Sequence, residues 1–313
     1  MVKRWLSYDE QVKLLQERGL TVTDAASAAE FLSRVNYYRL SGYFRYWQVD
    51  PMAGNNRFLD GSSFEVIQRL YEAEQDLVAV CDEVLHPIEV LLRTRFAYYY
   101  AQHVGAIGTF ARGDGFTQSP DPNDERVEEH ALSNLDRSKE TFVSHYRDEI
   151  KTGNAYSIEA YARMPVWVAV EAFSFGSLSR LIEASSKYGV LHDMAASMNV
   201  SPTTLPSQVR SFVYLRNRNA HCAKLWNHAV LDRPGLLSNI ARRAKRDHRQ
   251  FSDHSIYKIF VALDQVATKT DLQQDWLANR VEPILATNAL IAAGIATPAH
   301  YGEMQKQLLT ADH

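Results

Sequence analysis

The chain has 313 residues, 46% of them hydrophobic and 23% charged, and its 34 basic against 37 acidic side chains leave a formal charge of −3. This composition excludes the disordered, collagen-like and disulfide-scaffold classes and is ample for one large core or two smaller ones. Two cysteines, Cys81 and Cys222, fit a reducing, cytoplasmic setting; the charged, amphipathic start lacks a secretory apolar core, and the best apolar runs, PVWVAVEAF and ALIAAGIA, are about half a membrane span.

In chain order, Ser7 and Glu10 form a capping-box pattern, Val12, Leu14 and Leu15 an apolar stripe, and Gly19 a stop, so the first helix is expected over about Tyr8 to Arg18. Asp24 is the expected N-cap of a run reaching Gln48, divided at Ser41-Gly42. After the turn-rich DPMAGNNRFLDGSS, Ser62 and Glu65 repeat the capping pattern and open the longest helical signal, Phe64 to about His103, with a break or kink expected before Pro87. Residues 111 to 127 read as a long polar loop. Helices are then expected at about Glu128 to Ile150, Met164 to Ser186, Pro206 to Asn227, His254 to Thr268, Asp271 to Ala286 and Pro298 to Leu309. Evenly spaced alternating strands are lacking, so the fold is expected to be all-α. The segments fall into an N-terminal helical part (1–60), a main helical domain (61–270) and a C-terminal helical tail (271–313).

Phosphate loops and HExxH or CxxC metal motifs are lacking. His221, Cys222 and His228 have no fourth ligand at a recognisable spacing, and a buried cysteine beside a polar histidine is the simpler reading. The informative stretch is VYLRNRNAHCAKLWN, with Arg216 and His221 at a spacing used by metal-independent ribonucleases. The chain holds three Arg-x4-His pairs, so spacing alone selects none of them. Arg216–His221 is the one set in an apolar-periodic helix with an amide, Asn217, directly after the arginine. Asn217 and His221 share a helix face, so the amide could orient the imidazole. Arg216 and His221 lie about 140° apart around the axis, so two copies about a twofold axis would be needed to join them in one cleft. The chemistry would be attack by the RNA 2′-hydroxyl on its own phosphate, with His221 moving the proton and Arg216 holding the phosphate. No cofactor or metal is required, because the nucleophile comes with the substrate. The bland alternative is a solvated face formed by Arg216, Arg218 and Asn219, with His221 packed at its edge.

The blocks SYDEQVKLLQERGL, FLSRVNYYRLSGY, HPIEVLLRTRFAYYYAQH, MPVWVAVEAFSFGSLSRL and LRNRNAHCAKLWN, taken in order, resemble the Abi-like proteins of the AbiD and AbiF type, bacterial abortive-infection proteins placed in the HEPN superfamily. The resemblance spans roughly residues 3 to 260. It implies an all-α, HEPN-like bundle with additional N- and C-terminal helices, paired as a homodimer around a shared RNase cleft. The family's R-polar-x3-H signature falls on Arg216, Asn217 and His221, and its trailing Leu-Trp-Asn on Leu225, Trp226 and Asn227. Lys224 stands where a second arginine is expected, keeping the charge but not the bidentate fork. The resemblance further implies a phage-defence toxin, with an inhibitory RNA or protein partner as in some relatives.

Around that core, Glu89 and Arg93 are spaced for an intrahelical ion pair, and both are candidates to support the cleft from behind, with Glu89 positioning an arginine. Clustered aromatics (Tyr37-Tyr38, Tyr43 to Trp47, Tyr98 to Tyr100) are expected in the core, and Glu171 as a cap or buried-network residue. Arg218, Asn219, Lys224, Arg242, Arg243, Lys245 and Arg246 are the candidate RNA contacts. From Arg210 to Arg249, ten basic residues face only Asp232 and Asp247, so this window carries +8 and the remainder −11. The competing reading is a non-catalytic RNA-binding or phage-sensing protein on the same scaffold.

Overall fold

The structure, a computed structural model, describes residues 4–121, 123–300 and 302–305. Helix α1 (Tyr8–Glu17) starts on the expected box: Ser7 Oγ accepts from the Glu10 amide and the Glu10 carboxylate from the Ser7 amide. Gly19, at φ +94°, ends it. Asp24 caps α2 (Ala25–Arg34). The division before the next helix lies at Val35-Asn36 and not at Ser41-Gly42, because the Asn36 carboxamide accepts from the Tyr38 amide and starts α3 (Tyr37–Phe44), which contains Ser41 and Gly42. The turn-rich stretch is a small antiparallel hairpin, β1 (Gln48–Asp50) with β2 (Asn55–Phe58).

Helix α4 (Phe64–His103) is the spine. Its N-cap is Ser63, not Ser62; Glu65 instead receives the Thr23 amide and hydroxyl. The helix continues through Pro87, where Val84, Leu85, Ile88 and Leu92 form an unbroken buried stripe. Each such side chain contributes about 1.5–3 kcal/mol, enough together to offset the roughly 3 kcal/mol that an interior proline costs.

The described residues of the 111–127 segment form no long regular element, yet they are packed: Phe116 stacks on Tyr100 and the Thr117 amide donates to the Ala184 carbonyl. Glu128, 2% exposed, lies so close to Gly113 that a Cβ there would sit 2.6 Å from its carboxylate. Beyond it the expected single helix is two, α5 (Val127–Arg137) and α6 (Thr141–Tyr146), followed by a hairpin of β3 (Lys151–Thr152) and β4 (Ala155–Tyr156). Ser174 caps a fresh start that divides Met164 to Ser186 into α7 (Val166–Ala172) and α8 (Phe175–Ala184). Sequence periodicity missed α9 (Val190–Ser197). Helix α10 (Leu205–Ala220) ends at His221, so Lys224 to Asn227 are not helical as expected.

Further on, α11 (Ser238–Asp247) carries the basic run, and α12 (Ile256–Lys269) matches expectation within two residues. Asp271 to Ala286 is helical only from Trp276, through a π-helical turn (Leu277–Val281) into α13 (Glu282–Thr287). ALIAAGIA forms α14 (Ala289–Ala296), and of the helix expected over 298–309 residues 302–305 are helical while 301 and 306–309 lie outside the described residues.

Helix is predominant, and the two hairpins are the only sheets among the described residues, so the protein is all-α. Helices α7, α9, α10, α12, α13 and α14 pack on α4, and α8 packs on α10. The three segments read from sequence share one core. Trp226 donates to the Leu290 carbonyl, Trp276 to the Val80 carbonyl, and Trp226 sits among Tyr43, Tyr46 and Trp47. No helix among the described residues is long and apolar enough to cross a membrane.

Candidate functional site

His221 occupies the C-cap of α10, its amide bonded to the Asn217 carbonyl at 3.0 Å. Cys222 follows in the left-handed region (φ +49°), reversing the chain. The reversal is held from several sides: Arg39 Nη1 donates to the Cys222 carbonyl at 2.5 Å, the Ala223 amide to the Arg218 carbonyl at 2.8 Å, and Arg218 to the Lys224 carbonyl. Beneath it lies Glu74, 1% exposed, accepting from Tyr43 Oη at 2.7 Å and from the Leu225 amide. Burial pushes the Glu74 carboxyl up, and burial pushes the Lys224 ammonium down. Leu225 and Trp226 are fully buried, and the Asn227 carboxamide bonds both the amide and carbonyl of Ala299. The Leu-Trp-Asn run thus welds the turn to α4 and α14.

The His221 imidazole is exposed and makes no hydrogen bond among the described residues; the Asn217 amide does not reach it, although both line one groove of about 730 Å³ between α8 and α10. Arg180, Arg210 and Arg218 share that groove with Glu183 and Asp232. Arg216 leaves α10 on another face. Its guanidinium lies 5.7 Å over the Phe175 ring, and Nε is 3.6 Å from Glu89 Oε2. Glu89 pairs through its other oxygen with Arg93 at 2.5 Å, and Arg93 donates to the Val170 carbonyl. Glu89 is therefore the joint between two arginines and three helices. Among the described residues, Arg216 Nε is buried without a hydrogen-bond partner.

Asn219, read from sequence as an RNA contact, is 6% exposed and donates to Asp82 at 2.9 Å, tying α10 to α4. Lys224 is drawn inward as well: Nζ bonds the Gly42 carbonyl at 3.2 Å and sits 4.4 Å from the Tyr46 ring and 5.3 Å from the Trp226 ring. Arg218 is partly buried against Tyr214. Arg242, Arg243 and Arg246 are exposed on α11, Arg246 paired with Asp247, while Lys245 lies over Phe251. Three further expectations need correcting. Cys222 is exposed; Glu171 is exposed and without a hydrogen bond among the described residues; and Tyr38 and Tyr98 point outward from the aromatic clusters. His228 is engaged by Tyr214, and burial, with the charges of Arg218 and Lys224, lowers it to about 4.

Sequence reasoning missed Glu74, Arg39 and Arg180. Glu74 left a signal, since it is the one acidic position on the α4 stripe Ile67, Leu70, Glu74, Leu77, Cys81, Val84, Ile88.

A family model for Abi-like proteins matches residues 30–227, from α2 through α4 and α10 to the asparagine that closes the His221 turn. The α1 block lies outside that match. No curated protein and no solved structure matches the chain. The match covers well over half of the chain and ends with the turn just described: the chain belongs to the Abi-like protein family.

Proposed function

We propose that the protein is a metal-independent endoribonuclease that acts in phage defence, with Arg216 and His221 of two chains meeting in one cleft. Membership of the Abi-like family points to abortive infection. The observation that carries the chemical reading is that the fold elaborately supports the His221 turn yet leaves the imidazole itself exposed and, among the described residues, unbonded, with Arg216 braced by Glu89 on an adjoining face of the same helix end.

In the reaction, the 2′-oxygen bonds to phosphorus and the 5′-oxygen leaves, giving a 2′,3′-cyclic phosphate. His221 takes the proton from the 2′-hydroxyl while its copy in the second chain gives one to the departing oxygen. Arg216 offers a charged, planar donor set to the phosphate as charge grows on it. Because the two side chains diverge around α10, one chain presents them on separate faces, which is the reason for invoking a second copy.

The test is incubation of the purified dimer with RNA in EDTA. Cyclic-phosphate ends, lost in folded Arg216→Ala and His221→Ala, support the reading; intact RNA from a dimer free of any inhibitory partner sinks it. The divergence of Arg216 and His221 also favours a second reading, a non-catalytic RNA-binding or phage-sensing protein, in which RNA affinity survives both substitutions and no cleavage occurs.

A further inference from the structure

We propose that the surface running from Cys222 across Arg39 to Tyr38 and Arg18 binds single-stranded nucleotides flanking the cleavage point, one base stacking on Tyr38 and phosphates lying against Arg39 and Arg18. The proposal rests on the nuclease reading for its substrate, but not for its geometry.

Two clefts of about 500 and 540 Å³ share Asn36 and Tyr38 and so form one continuous surface. Its inner end is Cys222, the residue after His221. Its charged lining is Arg4, which is paired with Glu10 at 2.7 Å, together with Arg18, Arg39 and Lys224, and no acidic side chain is among the described lining residues; the groove beside His221, by contrast, contains Glu183 and Asp232. Arg18 and Arg39 make no ion pair among the described residues: Arg18 donates to Tyr37 Oη at 3.0 Å and Arg39 to the Cys222 carbonyl. Each keeps most of its five donors while being held in place. Elsewhere Arg210, Arg233, Arg249 and Arg280 are all matched with carboxylates.

Between the two arginines stands Tyr38, 84% exposed and without a ring contact among the described residues, unlike Tyr43, Phe44 and Trp47 of the same cluster. A bare aromatic face flanked by uncompensated guanidiniums suits a chain of phosphates with splayed bases. It does not suit a duplex, whose base faces are already stacked. Arg39 couples the surface to the site directly, since its guanidinium grips the backbone of the turn that carries His221.

The test is fluorescence anisotropy with a short labelled single-stranded RNA at fixed low salt, using the full chain with His221→Ala as a non-cleaving background. Tyr38→Ala is expected to weaken binding about 5- to 150-fold, the range of one lost base stack, and Tyr38→Phe to stay within about twofold. Circular dichroism confirms that both fold. Unchanged affinity in Tyr38→Ala, an equal loss in Tyr38→Phe, or a phosphopeptide bound with the same Tyr38 dependence overturns the proposal. A chain that binds through Tyr38 but leaves RNA intact sinks the nuclease reading alone. One that cleaves while Tyr38→Ala binds normally sinks this inference alone.

Discussion

Replacing Glu89 by glutamine keeps the shape of the side chain and removes the charge that joins Arg93 to Arg216. The Glu89 and Arg93 side chains are only 17% and 12% exposed, so their charge-assisted bond is worth about 1.5–3 kcal/mol. The Arg216 side chain is 34% exposed and 3.6 Å away, and solvent reduces its share to about 1 kcal/mol or less. Glu89→Gln should therefore destabilise the fold by about 2–4 kcal/mol, read as a lower urea midpoint with an unchanged slope. It should also slow RNA cleavage about 10- to 100-fold, because an arginine no longer braced must be oriented at the moment of reaction; that corresponds to about 1.4–2.7 kcal/mol of barrier. The decisive assay is a double-mutant cycle. In an Arg216→Ala background the additional kinetic effect of Glu89→Gln should vanish, while its effect on stability through Arg93 should remain. A kinetic effect that persists without Arg216 refutes the claim that Glu89 positions Arg216, and an unchanged urea midpoint refutes the stabilising role of its bond to Arg93.

Other expectations follow from the same geometry. Gly294→Ala should destabilise by about 1–3 kcal/mol despite alanine's better helix propensity, because its Cβ would sit 2.3 Å from Trp226 Nε1 and 2.9 Å from the Asn227 amide nitrogen; a variant that melts higher would contradict the packing of α14 on the turn. His228 is lowered from 6.5 to about 4 by burial and by Arg218 and Lys224, so the unfolded chain binds the proton more tightly. Its contribution to stability is complete above about pH 6.5 and is lost as pH falls from 6.5 towards 4. Urea midpoints across that window should fall less steeply in His228→Gln, and parallel curves would refute the assignment. Because Lys224 is caged by aromatic rings whereas Arg39 is exposed, Arg39→Met should lower the salt slope of RNA binding by about one and Lys224→Met should not; equal slopes in the two variants would place Lys224 on the RNA.

The helical elements were legible where local signals act alone. The Ser7–Glu10 box, the Asp24 cap, the Gly19 stop and the 40-residue span of α4 all follow from periodicity and capping, which neighbouring residues decide. The errors came where two local signals competed or where a remote contact decided. Asn36 outweighed Ser41-Gly42 as a helix start, Ser63 displaced Ser62 when Glu65 turned to Thr23, and Ser174 cut a continuous apolar run. The Arg216–His221 pair was visible as a pattern, but its charged neighbourhood was not. The sequence pattern places polar Asn219 and charged Lys224 on the surface, whereas Asp82 and an aromatic cage draw them inside.

By itself, then, the sequence determined the all-α class and the long central helix, since these depend on side-chain period and on hydrogen bonds within a few residues, whereas the helix expected to run on to Asn227 stops at His221. Tertiary structure alone decided which charges are free. Whether a guanidinium meets a carboxylate, a carbonyl or water depends on partners as remote as Glu89 from Arg216, Asp82 from Asn219 and Cys222 from Arg39, and no local pattern encodes those distances.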